Sequence, residues 1–137
     1  QAAVGLVQLQ RLNDIVARRR QLAARYQRLL SDVPGLVAVR DPSYGSTNYQ
    51  SFWIVLPEGC PVNRNTVLQR LAEQGVSARR GIMAAHREPA YAGHPHVELP
   101  VTEWLTDSSL ILPLFHDMTE QDQNRVVTCL RAAMDTT

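Results

Sequence analysis

The sequence predicts a small α+β fold, in which a largely antiparallel sheet of three or four strands follows a long helix and is covered by helices on one face. Three observations predict it. Residues 1–33 carry apolar side chains at three- and four-residue spacing, which is helical periodicity. The remainder alternates short β-prone runs with helical stretches bounded by turn residues. With 137 residues, 45% of them apolar and 20% charged, the chain has the size and composition of one globular domain with its own core.

Leu9, Leu12, Ile15, Val16, Leu22, Ala23, Tyr26, Leu29 and Leu30 form the stripe of the first helix. Pro34 ends it at Val33, because proline disfavours a helical conformation in the residue before it and cannot donate a backbone hydrogen bond. The other end carries no start signal. Gln1-Ala2-Ala3-Val4 is already good helix sequence, with no Ser, Thr, Asp or Asn cap ahead of it. A helix of about thirty residues would run roughly 45 Å, longer than a domain this size is wide. Residues 1–33 are therefore expected to be a connecting helix cut from a larger protein, and residues 34–137 a small α/β domain.

Residues 36–40 form a short β-prone run, followed by the turn-rich Asp41-Pro42-Ser43-Tyr44-Gly45-Ser46. Residues 49–56, with Phe52, Trp53, Ile54 and Val55 in sequence, form a stronger strand. Asn63 can cap a helix over 64–74 whose Val67, Leu68 and Leu71 face inward, and Gly75 suits the position just past its end. Residues 76–79 read as a strand, 80–100 as loop, 101–106 as a short helix and 109–112 as a strand. Thr119 caps the last helix, with Asp122 in an approximate capping box and Val126, Val127, Leu130, Ala133 and Met134 as its buried stripe.

Composition excludes several function classes. The formal charge of +1 gives no global field to recruit nucleic acid or an anionic membrane, and no apolar run reaches the length of a membrane span. Arg18-Arg19-Arg20 is no basic patch, because three consecutive helical residues fan over some 200°; a solvated face is the expectation. Cys60 and Cys129 form no metal or redox motif, so a reducing cytoplasm is the default. His86, His94, His96 and His116 include a His-Pro-His spacing, but a proline-rich loop gives them no regular element and no acidic ligand pairs with them. A metal site is not expected. Ser108-Ser109 has no neighbouring base, and no Gly-x-Ser-x-Gly elbow or glycine-rich phosphate loop is present.

All fourteen basic residues are arginine, and there is no lysine. Codon bias alone can produce this. The chemical consequence is that no side chain here can form a Schiff base, since guanidinium does not shed its proton.

One segment reads as a contact site. A strand delivers Arg79 and Arg80 to its end, and the irregular loop that follows places His86 and Tyr91 nearby. Arginine forks suit carboxylate and phosphate oxygens, and histidine can donate to a hydroxyl or phosphate. A solvated strand end with His86 packed against its own loop fits the same residues.

The ordered set Gln1-Ala2-Ala3-Val4-Gly5-Leu6-Val7-Gln8-Leu9, Arg18, Tyr26, Gly75-Val76, Pro89-Ala90-Tyr91, Leu99-Pro100-Val101-Thr102-Glu103 and Leu110-Ile111-Leu112-Pro113-Leu114 closely resembles the C-terminal part of the DegT/StrS family of pyridoxal-phosphate-dependent aminotransferases. Many of these aminate keto sugars carried on nucleotides. The resemblance runs through nearly the whole chain. It implies the small C-terminal domain of a fold-type I aminotransferase, a homodimer whose cofactor is pyridoxal phosphate and whose amino donor is glutamate. It also implies that the cofactor lysine, and the residues that stack on and pair with the cofactor, lie upstream of Gln1, so this chain alone would be inactive. Arg79, Arg80, His86 and Tyr91 match the region that closes over the substrate. Met83-Ala84-Ala85-His86 departs from the aromatic and Pro-Leu that precede this histidine in many members, which leaves the sugar open. A non-catalytic binding or dimerisation module, or a regulatory protein built on the same fold, would carry the same residues.

Overall fold

Each element ends where its backbone groups find another partner. The computed structural model describes residues 1–136. The expected single helix is two, α1 (Ala2–Gln10) and α2 (Leu12–Leu29). The ladder breaks at Arg11, whose amide donates to the Gln8 carbonyl at 3.1 Å, a tighter i−3 bond. α1 buries no side chain: Val4, Leu6, Val7 and Leu9 are all exposed. The buried stripe begins only with Leu22, Ala23 and Tyr26 of α2.

Four strands follow: β1 (Val37–Ala38), β2 (Phe52–Val55), β3 (Arg79–Arg80) and β4 (Ser109–Leu112), in the all-antiparallel order β1-β2-β4-β3. The strand expected over 49–56 starts at Phe52. Tyr49 takes a left-handed conformation at φ 48°, and the Asn48 side chain accepts from the Gln50 amide, so a turn consumes the preceding residues.

The strand expected over 76–79 is displaced for a clearer reason. Helix α3 (Arg64–Glu73) closes with the Gly75 amide donating to Ala72 O at 2.9 Å and the Val76 amide to Leu71 O at 2.8 Å. This is a Schellman end with Gly75 at φ +72°. Val76 is thereby committed to the helix end, and pairing with β4 begins only at Arg79.

Helix α4 (Pro100–Ser108) starts with proline at its first position, where the missing N–H costs nothing. Helix α5 (Glu120–Met134) opens with a complete capping box: Thr119 Oγ1 accepts from the Asp122 amide at 3.1 Å, and Asp122 Oδ2 accepts from the Thr119 amide at 2.9 Å. Among the described residues no helix is long and apolar enough to cross a membrane.

Helices α2, α3 and α5 pack on one face of the sheet. Phe52, Ile54, Leu110 and Leu112 meet Tyr26, Val67, Leu71 and Leu130 there, all essentially inaccessible. Gln123 crosses this layer, its Nε2 donating to Leu22 O at 2.9 Å and joining α5 to α2. The triple arginine corrects its expectation. The three side chains do fan apart, but each is half-buried; Arg18 holds the loop after β4, and Arg19 and Arg20 hold two points of the loop between β1 and β2. Arg18 donates to His116 O and Met118 O, Arg19 to Tyr49 O and Gln50 O, and Arg20 pairs with Asp41.

Candidate functional site

The segment after β3 is positioned by one close approach. An ideal Cβ on Gly81 would lie 2.2 Å from Ser109 Oγ, so only glycine lets the chain pass here. The Gly81 amide donates to Ser109 O at 3.1 Å and the Ile82 amide to Ser109 Oγ at 3.1 Å. Two 3₁₀ turns, Ala85–Arg87 and Pro89–Tyr91, then fold the loop back against α4.

These contacts place the four sequence-predicted residues differently. Cross-strand partners share a face, so Arg80, opposite Leu110, lies on the helix-covered face, and Arg79, opposite Ile111, lies on the other. Arg79 lines a cavity of about 540 Å³ together with Gln50, Phe115 and Arg125. Arg80 lines a separate cleft of about 340 Å³ with Arg64, Arg87, Glu88 and Asp107. His86 is only 10% exposed; its Nε2 donates to Glu103 Oε1 at 3.2 Å, and its ring lies 4.7 Å from that of His96. Because an ionised carboxylate only accepts, this bond puts the proton on Nε2. Tyr91 is exposed, with its ring edge-on to His94 at 6.1 Å. The structure thus brings Arg80 to a charged cleft and holds His86 against Glu103, outside the residues that line that cleft. It sets Arg79 apart from Arg80.

Glu103 and Asp107 of α4 organise the charges. Arg87 Nη1 donates to both Asp107 oxygens at 2.9 Å, and its Nη2 to Glu103 Oε2 at 2.8 Å. The Arg87 bond, and then the His86 bond, hold the Glu103 carboxyl below its ordinary range. Those same carboxylates raise the Arg87 guanidinium.

Arg64 is different, and sequence reasoning missed it. It is 8% exposed, and its Nε and Nη1 are buried without a hydrogen-bond partner among the described residues. Burial first, and the neighbouring Arg80 charge second, lower its proton affinity. The available signal was an arginine at the first position of a helix with no acid in its first turn, the reverse of what the helix dipole favours. Among the described residues, no three His, Cys, Asp or Glu converge as a metal-binding group.

A family model for the DegT/DnrJ/EryC1/StrS aminotransferases matches residues 1–131. The chain belongs to this family. Solved aminotransferases share the fold. The chain is 32% identical to aminotransferase TlmJ from Streptoalloteichus hindustanus, covering 97% of this chain and 35% of that one, with a TM-score of 0.84. It is 31% identical to DesI, solved in the presence of its TDP-sugar product, covering 97% and 34% at a TM-score of 0.88. With S. venezuelae DesV the identity is 26%, covering 100% and 36% at a TM-score of 0.83. The chain therefore spans about a third of the length of the aminotransferases it matches. The helix-covered antiparallel sheet is the fold expected for the small C-terminal domain of DegT/DnrJ/EryC1/StrS enzymes. Pyridoxal phosphate is the cofactor the family implies, but the residues of this chain do not fit it: with fourteen arginines and no lysine, they offer no side-chain amine to its aldehyde.

Proposed function

We propose that this chain is the small domain of a pyridoxal-phosphate-dependent aminotransferase that transfers an amino group from glutamate to a nucleotide-linked keto sugar. The family match over residues 1–131 is the observation that carries the reading. The likeness to DesI, whose structure holds a TDP-sugar product, supports the nucleotide. In this reading residues 1–33 lead in from a cofactor domain outside this chain, and residues 34–137 cover the substrate cleft. Pyridoxal phosphate supplies the electron sink when bound there, and this domain supplies orientation and charge. The enzyme acts as a cytoplasmic homodimer.

Arg80 and His86 are the substrate-side contacts, with Arg79 and Tyr91 at the margin. Arg80 offers a fork of donors at a cleft, and Glu103 fixes the tautomer of His86. In the complete polypeptide, Arg80→Ala and His86→Ala are each expected to lower kcat/KM for the sugar substrate by about tenfold or more. Both should affect the half-reaction with glutamate less. Equal loss in the two half-reactions, measured by single-turnover spectroscopy, removes these residues from the sugar site. A complete polypeptide with no cofactor lysine would overturn the aminotransferase reading itself.

A further inference from the structure

We propose that His96 latches residues 92–99, the segment between the second 3₁₀ turn and α4, over His86, and that charging the two imidazoles releases it. The latch governs access to His86, so its purpose rests on the reading of His86 as a substrate contact; the latch itself does not.

The His86 side chain is 10% exposed, although residues 89–100 beside it are all exposed. Its cover is thin. The His96 ring lies 4.7 Å from that of His86 and is tilted by 44°, a contact distance for two aromatic rings. Little else holds the segment down. The Ala92 amide donates to Pro89 O at 3.2 Å, the His94 amide to Tyr91 O at 3.1 Å, and His96 Nδ1 to Val97 O at 2.9 Å. Among the described residues, the hydrogen bonds of residues 92–98 all close locally in this way. A segment with no buried side chain and no long-range hydrogen bond opens at low free-energy cost, so the His96 ring is what ties its middle to the turn Ala85–Arg87.

The two rings have unequal support. His86 Nε2 donates to Glu103 Oε1 on α4, and Glu103 Oε2 accepts from Arg87, whose other amino group is held by Asp107. A carboxylate therefore keeps His86 in place, neutral or charged. His96 takes part in none of the ion pairs among the described residues. On its own segment, His94 sets its ring edge-on to Tyr91, and Glu98 is exposed. Arg64, Arg80 and Glu88 share a cleft with Arg87 and Asp107, and none of them bonds to either imidazole.

The stack tolerates one charge and not two. An imidazolium beside a neutral ring is attracted to it, whereas two imidazolium ions at this spacing repel, and only His86 has an anion to answer its charge. The ring that leaves is His96, and residues 92–99 go with it. Release accompanies a fall in pH through the range where imidazole gains its proton, about 6.5 and below; near neutrality the latch holds.

Two measurements on the complete polypeptide, both without substrate, test the latch. Carbethoxylation of His86 by diethyl pyrocarbonate, mapped by mass spectrometry at about pH 7.5, reads the cover. His96→Ala should raise its rate by about fivefold or more, and His96→Phe, which keeps a ring without a proton, should leave it within about twofold. Cleavage after Glu98 by a glutamate-specific protease, relative to a free peptide of residues 92–103, reads release. In wild type this ratio should rise by about tenfold or more from about pH 7.5 to about pH 5.5. In His96→Phe it should stay within about twofold across that range, and in His96→Ala it should be high at both ends. His96 is exposed, so both variants keep the fold.

Equal modification of His86 in wild type and His96→Ala overturns the latch. So does a rise in cleavage with acid that His96→Phe shares, since the segment would then loosen for a reason other than the His96 proton. Because neither measurement contains substrate, a failed latch leaves the sugar reading of His86 standing, and that reading falls only by the kinetics of His86→Ala.

Discussion

Replacing Tyr26 with Phe deletes one oxygen from a fully buried ring that lies 4.9 Å from Phe52. That oxygen donates to Pro113 O at 3.0 Å and joins α2 to the end of β4, and burial raises the phenol well above its ordinary proton affinity. The ring packing survives the substitution, so the loss isolates the bond and the carbonyl it leaves unpaired. We expect Tyr26→Phe to destabilise the fold by about 1–3 kcal/mol, read as a lower urea midpoint with an unchanged m value. The sequence marks Tyr26 as part of a helical stripe, but its partner is 87 residues away. The same distance hid Arg18, whose bonds to His116 and Met118 span 98 and 100 residues. Local spacing shows that a side chain points inward or outward, not which distant carbonyl waits for it. Arg64 was hidden likewise, because the residues that share its cleft, from Arg80 to Asp107, lie far along the chain.

The capping box of α5 gives a measurable pH signature. Hydrogen bonds from the Thr119 side chain and then its backbone hold the Asp122 carboxyl below its ordinary range. A depressed carboxylate stabilises the fold at pH values above its unfolded value, about 3.9, and that contribution disappears as pH falls through the lower folded value. Asp122→Asn should therefore be less stable than wild type at pH 6, and thermal melts of the two should converge in acid; a constant gap would rule out this origin. Thr119→Ala should cost about 0.5–2 kcal/mol. Caps of this kind, with β2, β4 and the three packed helices, were legible because a few adjacent residues define them. Strand ends were less legible. Val76 alternates correctly for β3, yet its amide closes α3, and only the tertiary position of β4 decides where pairing starts.

For the molecule as a whole, the absence of lysine is a property that can be tested without knowing the substrate. Mixed with pyridoxal phosphate and reduced with borohydride, the 137-residue chain should yield no labelled internal peptide; one such peptide would overturn the placement of the cofactor chemistry outside this chain. The family was legible from ordered short motifs along the chain, and the structure adds the separation of Arg79 from Arg80. The pleat puts the two on opposite faces, and Gly81 sets which of them takes which face. A one-residue slip of β3 along β4 would exchange the two arginines between faces, moving one charge out of the Arg64 cleft and the other into it. An edge strand of two residues has few hydrogen bonds to resist such a slip. Any side chain arriving opposite Ser109 would collide with its hydroxyl, because the approach there admits hydrogen alone. Gly81 thus acts as a register pin, and the contact that looks like a packing detail chooses which arginine lines which cavity.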